Sequence, residues 1–139
     1  MRFSKGRSFL FRVPEGEELL EFVNGFAKRH NVLIGTVSGI GSLRSPKIGY
    51  FDEAAGGYKV NELRGLYELV SLSGNISLKN GEPFAHIHVA LGGPDGSLHG
   101  GHLVEGEVLV AEVFIQELLG ELLERKPQGK GLALWEAKE

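Results

Sequence analysis

The sequence predicts an α+β fold, a curved sheet with many turns and one amphipathic helix packed against it. Three observations predict it. One apolar stripe at helical spacing runs from Leu19 to Ala27, and the segments after Val32 read as strands. Glycine supplies 21 of the 139 residues, which suits close strand crossings and tight turns. The length suits one domain over residues 1–139 and is too short for two independent cores.

Ser8 to Val13 reads as a short strand, ended by Pro14, Glu15 and Gly16. Leu19, Leu20, Phe22, Val23, Phe26 and Ala27 then follow the i, i+3, i+4, i+7 rule. Glu15, Glu17 and Glu18 precede this stripe, and Lys28, Arg29 and His30 close it, so both ends suit the helix dipole. Asn31 is the expected stop, and His30 needs no role beyond that helix end.

Val32 to Ser42 is apolar and interrupted by Gly35, Gly39 and Gly41, which predicts a bent strand. Ile48 to Asp52 and Tyr58 to Leu63 flank Ala55-Gly56-Gly57 as a hairpin. Leu66 to Leu72 alternates, with Leu66, Glu68, Val70 and Leu72 expected on one face. Ile76 to Leu78, the turn Asn80-Gly81 and the strand Ala85 to Leu91 follow, then Val108 to Ile115 and an edge strand at Leu132 to Trp135. Gln116 to Arg125 has leucines at helical spacing yet continues a β-branched strand, so periodicity alone leaves it open between helix and strand.

Composition narrows the function. A formal net charge of −3, from 15 Lys and Arg against 18 Asp and Glu, offers no general attraction to nucleic acid. Lys5-Gly6-Arg7 is a small basic element of the kind found at solvated chain ends. Gly39-Ile40-Gly41 lacks the continuation into a helix that a phosphate-binding loop needs. Without cysteine, disulfides and thiolate metal sites are excluded, and any metal must be held by nitrogen or oxygen. The apolar run Phe9 to Val13 is shorter than a signal-peptide core or a membrane span, so a cytoplasmic protein with no membrane partner is expected.

The densest chemistry is a block of four histidines, His86, His88, His99 and His102. Strand geometry points His86 and His88 to one face and sends Ile87 and Val89 into the core. Gly92-Gly93-Pro94-Asp95-Gly96 is rich in turn residues, so the chain should reverse and bring His99 back to the pair. Three imidazoles with an open fourth position is a common way of holding catalytic zinc. A lone histidine would read as part of a solvated strand face, but a His-x-His pair with two more histidines nearby favours a metal. Zinc is preferred, and nickel, copper and iron also accept imidazole. His102 could be a further ligand, hydrogen-bond to a ligand, or face solvent. Glu68, an acid between apolar neighbours, is either a surface residue or a placed site residue.

These residues together resemble the PPC domain, conserved in plants and prokaryotes. The resemblance covers roughly Arg7 to Glu136. It rests on the glutamate-led helix and on Ser38-Gly39-Ile40-Gly41-Ser42. Further motifs are Gly65-Leu66-Tyr67-Glu68-Leu69-Val70-Ser71-Leu72-Ser73-Gly74, the block from His86-Ile87-His88 to Gly100-Gly101-His102-Leu103, and Ala111-Glu112-Val113. It implies a mixed, mostly antiparallel sheet with one packed helix, a homotrimer, and strand rather than helix after Ile115. In plant relatives the domain follows segments that contact A·T-rich DNA, but Lys5-Gly6-Arg7-Ser8 lacks their Arg-Gly-Arg-Pro core. DNA is therefore expected as a weak or indirect partner, and other proteins are possible partners. The partner-binding segment of those relatives corresponds to Gly65 to Val70, with Gly65, Tyr67 and Glu68 its marked residues. The spacing of His86, His88 and His99 is also similar to the three-histidine zinc ligation of acetolactate decarboxylase, which carboxylates complete. Glu68 is the acid to test there, and Arg64 could neutralise an anionic substrate.

Three functional readings follow. The favoured one is a trimeric binding or regulatory module, associated with DNA or transcription, that carries a histidine metal site. The alternative is a zinc-dependent lyase or hydrolase acting on a small carbonyl or carboxylate compound. The third is a structural trimer without metal. No complete catalytic set is visible in the sequence, so whether the protein is an enzyme stays open here.

Overall fold

In the computed structural model, which describes Met1–Glu139, the helical stripe becomes α1 (Leu19–Arg29). The Glu18 carboxylate caps it by accepting from the backbone N–H of Glu21 at 2.6 Å, and its other oxygen accepts from Gly106 N–H at 3.1 Å. Leu19, Val23, Phe26 and Ala27 are buried, and Asn31 ends the helix in the left-handed region with φ 52°.

Everything else regular is strand. β1 (Ser4–Val13), β2 (Gly35–Asp52), β3 (Gly57–Glu62), β4 (Leu66–Lys79), β5 (Glu82–Gly92), β6 (Leu98–Leu119), β7 (Glu124–Pro127) and β8 (Ala133–Leu134) form one sheet in the order β3-β2-β6-β5-β4-β7-β8, with β1 beside β6. β4 also pairs with β2, so β2, β6, β5 and β4 close into a ring. All pairings between strands are antiparallel except β4–β7, which makes the sheet mixed. The fold is thus α+β, as expected.

Strands that the sequence separates are joined here. The expected strands Val32–Ser42, from Gly35 onward, and Ile48–Asp52 belong to one long β2, whose register shifts between Arg44 and Lys47 absorb Ser45 and Pro46. Ile76–Leu78 is the end of β4, and β6 runs on to Leu119, so the ambiguous leucine segment begins as strand and reaches β7. One face expectation fails. A bulge between Leu69 and Ser71 flips the alternation of β4, leaving Leu66 and Val70 exposed while Leu69 and Leu72 enter the core.

The core lies between α1 and one face of β5 and β6. Ala85, Ile87, Val89 and Leu91 of β5 and Leu103, Val113 and Ile115 of β6 are all buried there beside Val23 and Phe26. Gly74 of β4 lets the strands approach. A Cβ at that position would stand 2.1 Å from the His86 carbonyl oxygen.

Candidate metal centre

Burying the odd-numbered residues of β5 turns its even-numbered ones to the other face. His86 and His88 therefore point together, away from the core. The third histidine is decided by register. Gly93 N–H donates to Ser97 O at 2.8 Å across the turn, and Gly92 pairs with Leu98. That register sets His102 opposite His88, and His99 opposite Leu91.

His86, His88 and His102 converge so that one nitrogen from each lies within 4.8 Å of the others. Their ring centroids stand 5.1, 5.4 and 5.7 Å apart. His99 is not in this group. Three residues before His102, it falls on the alternate face, exposed at the hairpin end, with its ring edge-on to Tyr67 at 5.9 Å. Of the expected His86–His88–His99 set, the structure brings His86 and His88 together and places His102 rather than His99 beside them, because the hairpin turns about Asp95 and pairs residue 102, not 99, with residue 88.

The chemistry of the donors fits a metal ion. His102 Nδ1 is buried without any hydrogen-bond partner, an orphan that a metal or a proton-accepting neighbour would satisfy. Burial first, and then the neighbouring charge of His88, lower the His102 pKa from its ordinary value. Burial, then the Arg125 charge, then the other two histidines lower that of His86 to about 4. Neutral imidazole is the ligating form. Three ligands leave a fourth position free for water or a small molecule.

Other expected site residues lie elsewhere. Glu68 is exposed opposite Gly92, four residues along β5 from His88, roughly 13 Å at about 3.3 Å per residue. It does not reach the triad within one chain. Gly65, with φ 102°, is exposed between β3 and β4, where Ser45 N–H donates to its carbonyl at 2.7 Å. Tyr67 is partly buried against the core, and Arg64 is exposed and remote from the cavity beside the histidines.

Two residues here escaped the sequence reading. Lys79 ends β4 and Arg125 sits in β7, and both line a cavity of about 140 Å³ together with His86 and His102. Arg125 Nε donates to Ser77 Oγ at 3.1 Å and Nη2 to Asn75 Oδ1 at 2.8 Å, while Trp135 stacks 4.7 Å from the guanidinium. No local signal marks Arg125, because only the parallel β4–β7 pairing carries it to the histidines.

Comparison with known proteins agrees with this architecture. The model of the Plants and Prokaryotes Conserved (PCC) domain matches residues 2–119. The chain belongs to this family. A plant- and prokaryote-conserved (PPC) protein of Pyrococcus horikoshii is 59% identical, with TM-score 0.96 over 99% of this chain and 96% of its own. A metal-containing protein of Archaeoglobus fulgidus is 41% identical, with TM-score 0.91 over 98% of this chain and 97% of its own. A candidate DNA-binding protein of Bacteroides thetaiotaomicron is 25% identical, with TM-score 0.85 over 96% of each chain. No curated protein matches the sequence. No helix of this PPC-domain protein is long and apolar enough to cross a membrane.

Proposed function

We propose that this PPC-domain protein holds one divalent ion at His86, His88 and His102, zinc by donor chemistry, and uses its free coordination position on a small molecule. The observation that carries this is the convergence of three nitrogens, two of them from histidines, His86 and His102, that line a cavity together with Arg125. Such an ion supplies Lewis acidity towards a carbonyl or an acidified bound water. The reaction class is lyase or hydrolase chemistry on a small carbonyl or carboxylate compound. The similarity to a metal-containing archaeal protein supports the metal.

The test is metal analysis of protein purified without added metal, followed by NMR assay of short 2-oxo and 3-hydroxy carboxylates. One zinc per chain and turnover abolished by a chelator are expected. Protein that takes up no zinc at saturation and neutral pH overturns the reading.

A second reading, a regulatory module associated with DNA, is favoured by the candidate DNA-binding protein among its structural relatives. Against it stand the net charge of −3 and the glutamates Glu15, Glu17 and Glu21 around the helix start. Weak, sequence-indifferent duplex binding is expected in a titration at about 150 mM salt. Nanomolar affinity with clear sequence preference would promote this second reading.

Either function would operate in a homotrimer. Leu10, Ile40, Val70, Val110 and Phe114 are exposed around two adjoining grooves that share Ile40 and Glu112, an apolar face suited to copies of the same chain. Light scattering at micromolar concentration should give three times the chain mass. A monomer would exclude it.

A further inference from the structure

Arg125 is 7% exposed, yet no carboxylate pairs with it or with Lys79. Buried arginine is rare without an acid, because the desolvated charge is costly until an anion offsets it. Its partners here are all neutral: Ser77 Oγ, Asn75 Oδ1, the Ala133 carbonyl at 3.3 Å from Nη1, and His86 Nδ1 at 3.5 Å from Nη2. Of the five guanidinium donors, one on Nη1 has no partner among these.

The second cation makes the arrangement harder to explain as structure alone. Lys79 and Arg125 are direct cross-strand partners in the β4–β7 pair. Like charges placed opposite each other destabilise a sheet. Both line the same cavity, and no aspartate or glutamate does. The rest of its wall is largely apolar, with Tyr58, Phe84, Leu132 and Leu134, and His86, beside Arg125, and His102 complete it. At about 140 Å³ it admits only a few heavy atoms.

We propose that Arg125 and Lys79 form the anion-binding subsite of this cavity, which takes a short-chain carboxylate with its carboxylate on the two cations and its body directed at His86 and His102. The planar guanidinium, stacked on Trp135, has one unpartnered Nη1–H to offer a carboxylate oxygen, and Lys79, its ammonium 4.7 Å from the Phe84 ring, adds a second charge. This deepens the function proposed above by naming the substrate class of the same site. The anion contact itself requires no metal.

The experiment is an NMR titration of metal-free wild-type protein with propionate and, separately, with its neutral isostere propionamide. The Arg125 Nε–H and Trp135 indole N–H signals are followed. Propionate should shift both with an affinity at least about tenfold above that of propionamide, a gap of about 1.4 kcal/mol. Lys79→Met should weaken propionate binding several-fold and Arg125→Met at least tenfold, with propionamide unaffected. Arg125→Lys, which keeps the charge if the Met variant does not fold, should retain partial binding. Equal binding of propionate and propionamide, or no change in Lys79→Met, overturns the subsite. Repeating the titration on His102→Ala separates the two readings. Carboxylate binding that survives while zinc uptake is lost supports an independent subsite. Zinc uptake by wild type without any carboxylate preference refutes the subsite and leaves the metal site standing.

Discussion

The Arg125 guanidinium lies against the His86 ring, with Nη2 3.5 Å from Nδ1. Burial and this adjacent charge, in that order, hold His86 near a pKa of about 4. In the metal-free protein His86 should therefore stay neutral at pH 5, which NMR titration of its ring protons will show. Arg125→Met should raise the value yet leave it below the ordinary one, since burial is the larger cause. The linkage sign follows. A folded pKa below the unfolded value of about 6.5 means that the unfolded chain takes up the proton first. Stability of the metal-free protein should fall as pH drops from about 6.5 towards 4, and urea midpoints across that range will measure it. A midpoint flat over the whole range would contradict it.

The register makes a sharper prediction about ligands. His102→Ala should lower zinc affinity by more than the roughly 10–100-fold lost when a group that merely hydrogen-bonds to a ligand is removed. His99→Ala should leave zinc binding unchanged, because His99 pairs with Leu91 on the alternate face. Competition with a zinc-sensitive dye measures both. Retained affinity in His102→Ala with loss in His99→Ala would restore the set expected from spacing.

Much of this was legible in the sequence, and the misses have a common cause. The helix from Leu19 to Arg29 was readable because the apolar stripe from Leu19 to Ala27 and its flanking charges are local properties. The shared face of His86 and His88 was readable because strand alternation is also local. The third histidine was not, since a slip of one residue in the pairing register moves every later side chain to the other face. Only the centring of the turn on Asp95, which pairs His88 with His102, decides it. The bulge at Leu69–Ser71 and the arrival of Arg125 beside His86 depend on strand pairing at a distance, and nothing in their neighbours' identities announces either.

Gly74 tests how the fold holds the site. A Cβ there would lie 2.1 Å from the His86 carbonyl oxygen and 3.0 Å from Ile87 Cα, both of them backbone atoms that cannot swing aside. Gly74→Ala should cost about 1–3 kcal/mol by overpacking. It should also weaken zinc binding, because β5 must shift at His86 itself. Denaturant unfolding and the dye competition report the two effects. A fully stable variant with unchanged zinc affinity would show that the strands tolerate wider spacing.

The last prediction concerns how β1 is held. Arg7 donates to Glu117 through Nε at 2.9 Å and Nη2 at 2.6 Å, and its backbone N–H donates to the same carboxylate at 3.0 Å. The guanidinium also donates to the His30 carbonyl at 2.7 Å, joining β1, β6 and the end of α1. These bonds, with the Arg7 side chain the largest cause, hold the Glu117 pKa below the ordinary glutamate value. A depressed carboxylate contributes stability above its unfolded pKa of about 4.3 and loses it as pH falls through the lower folded value. Glu117→Gln, which keeps the shape and removes the charge, should therefore be less stable than wild type at pH 7. The gap should be smaller at pH 3, because the charge contribution of Glu117 is lost progressively as pH falls below the unfolded value. Urea midpoints at both pH values give the comparison. A gap of the same size at pH 7 and pH 3 would mean that shape and packing at Glu117, rather than its charge, fasten β1 to the sheet.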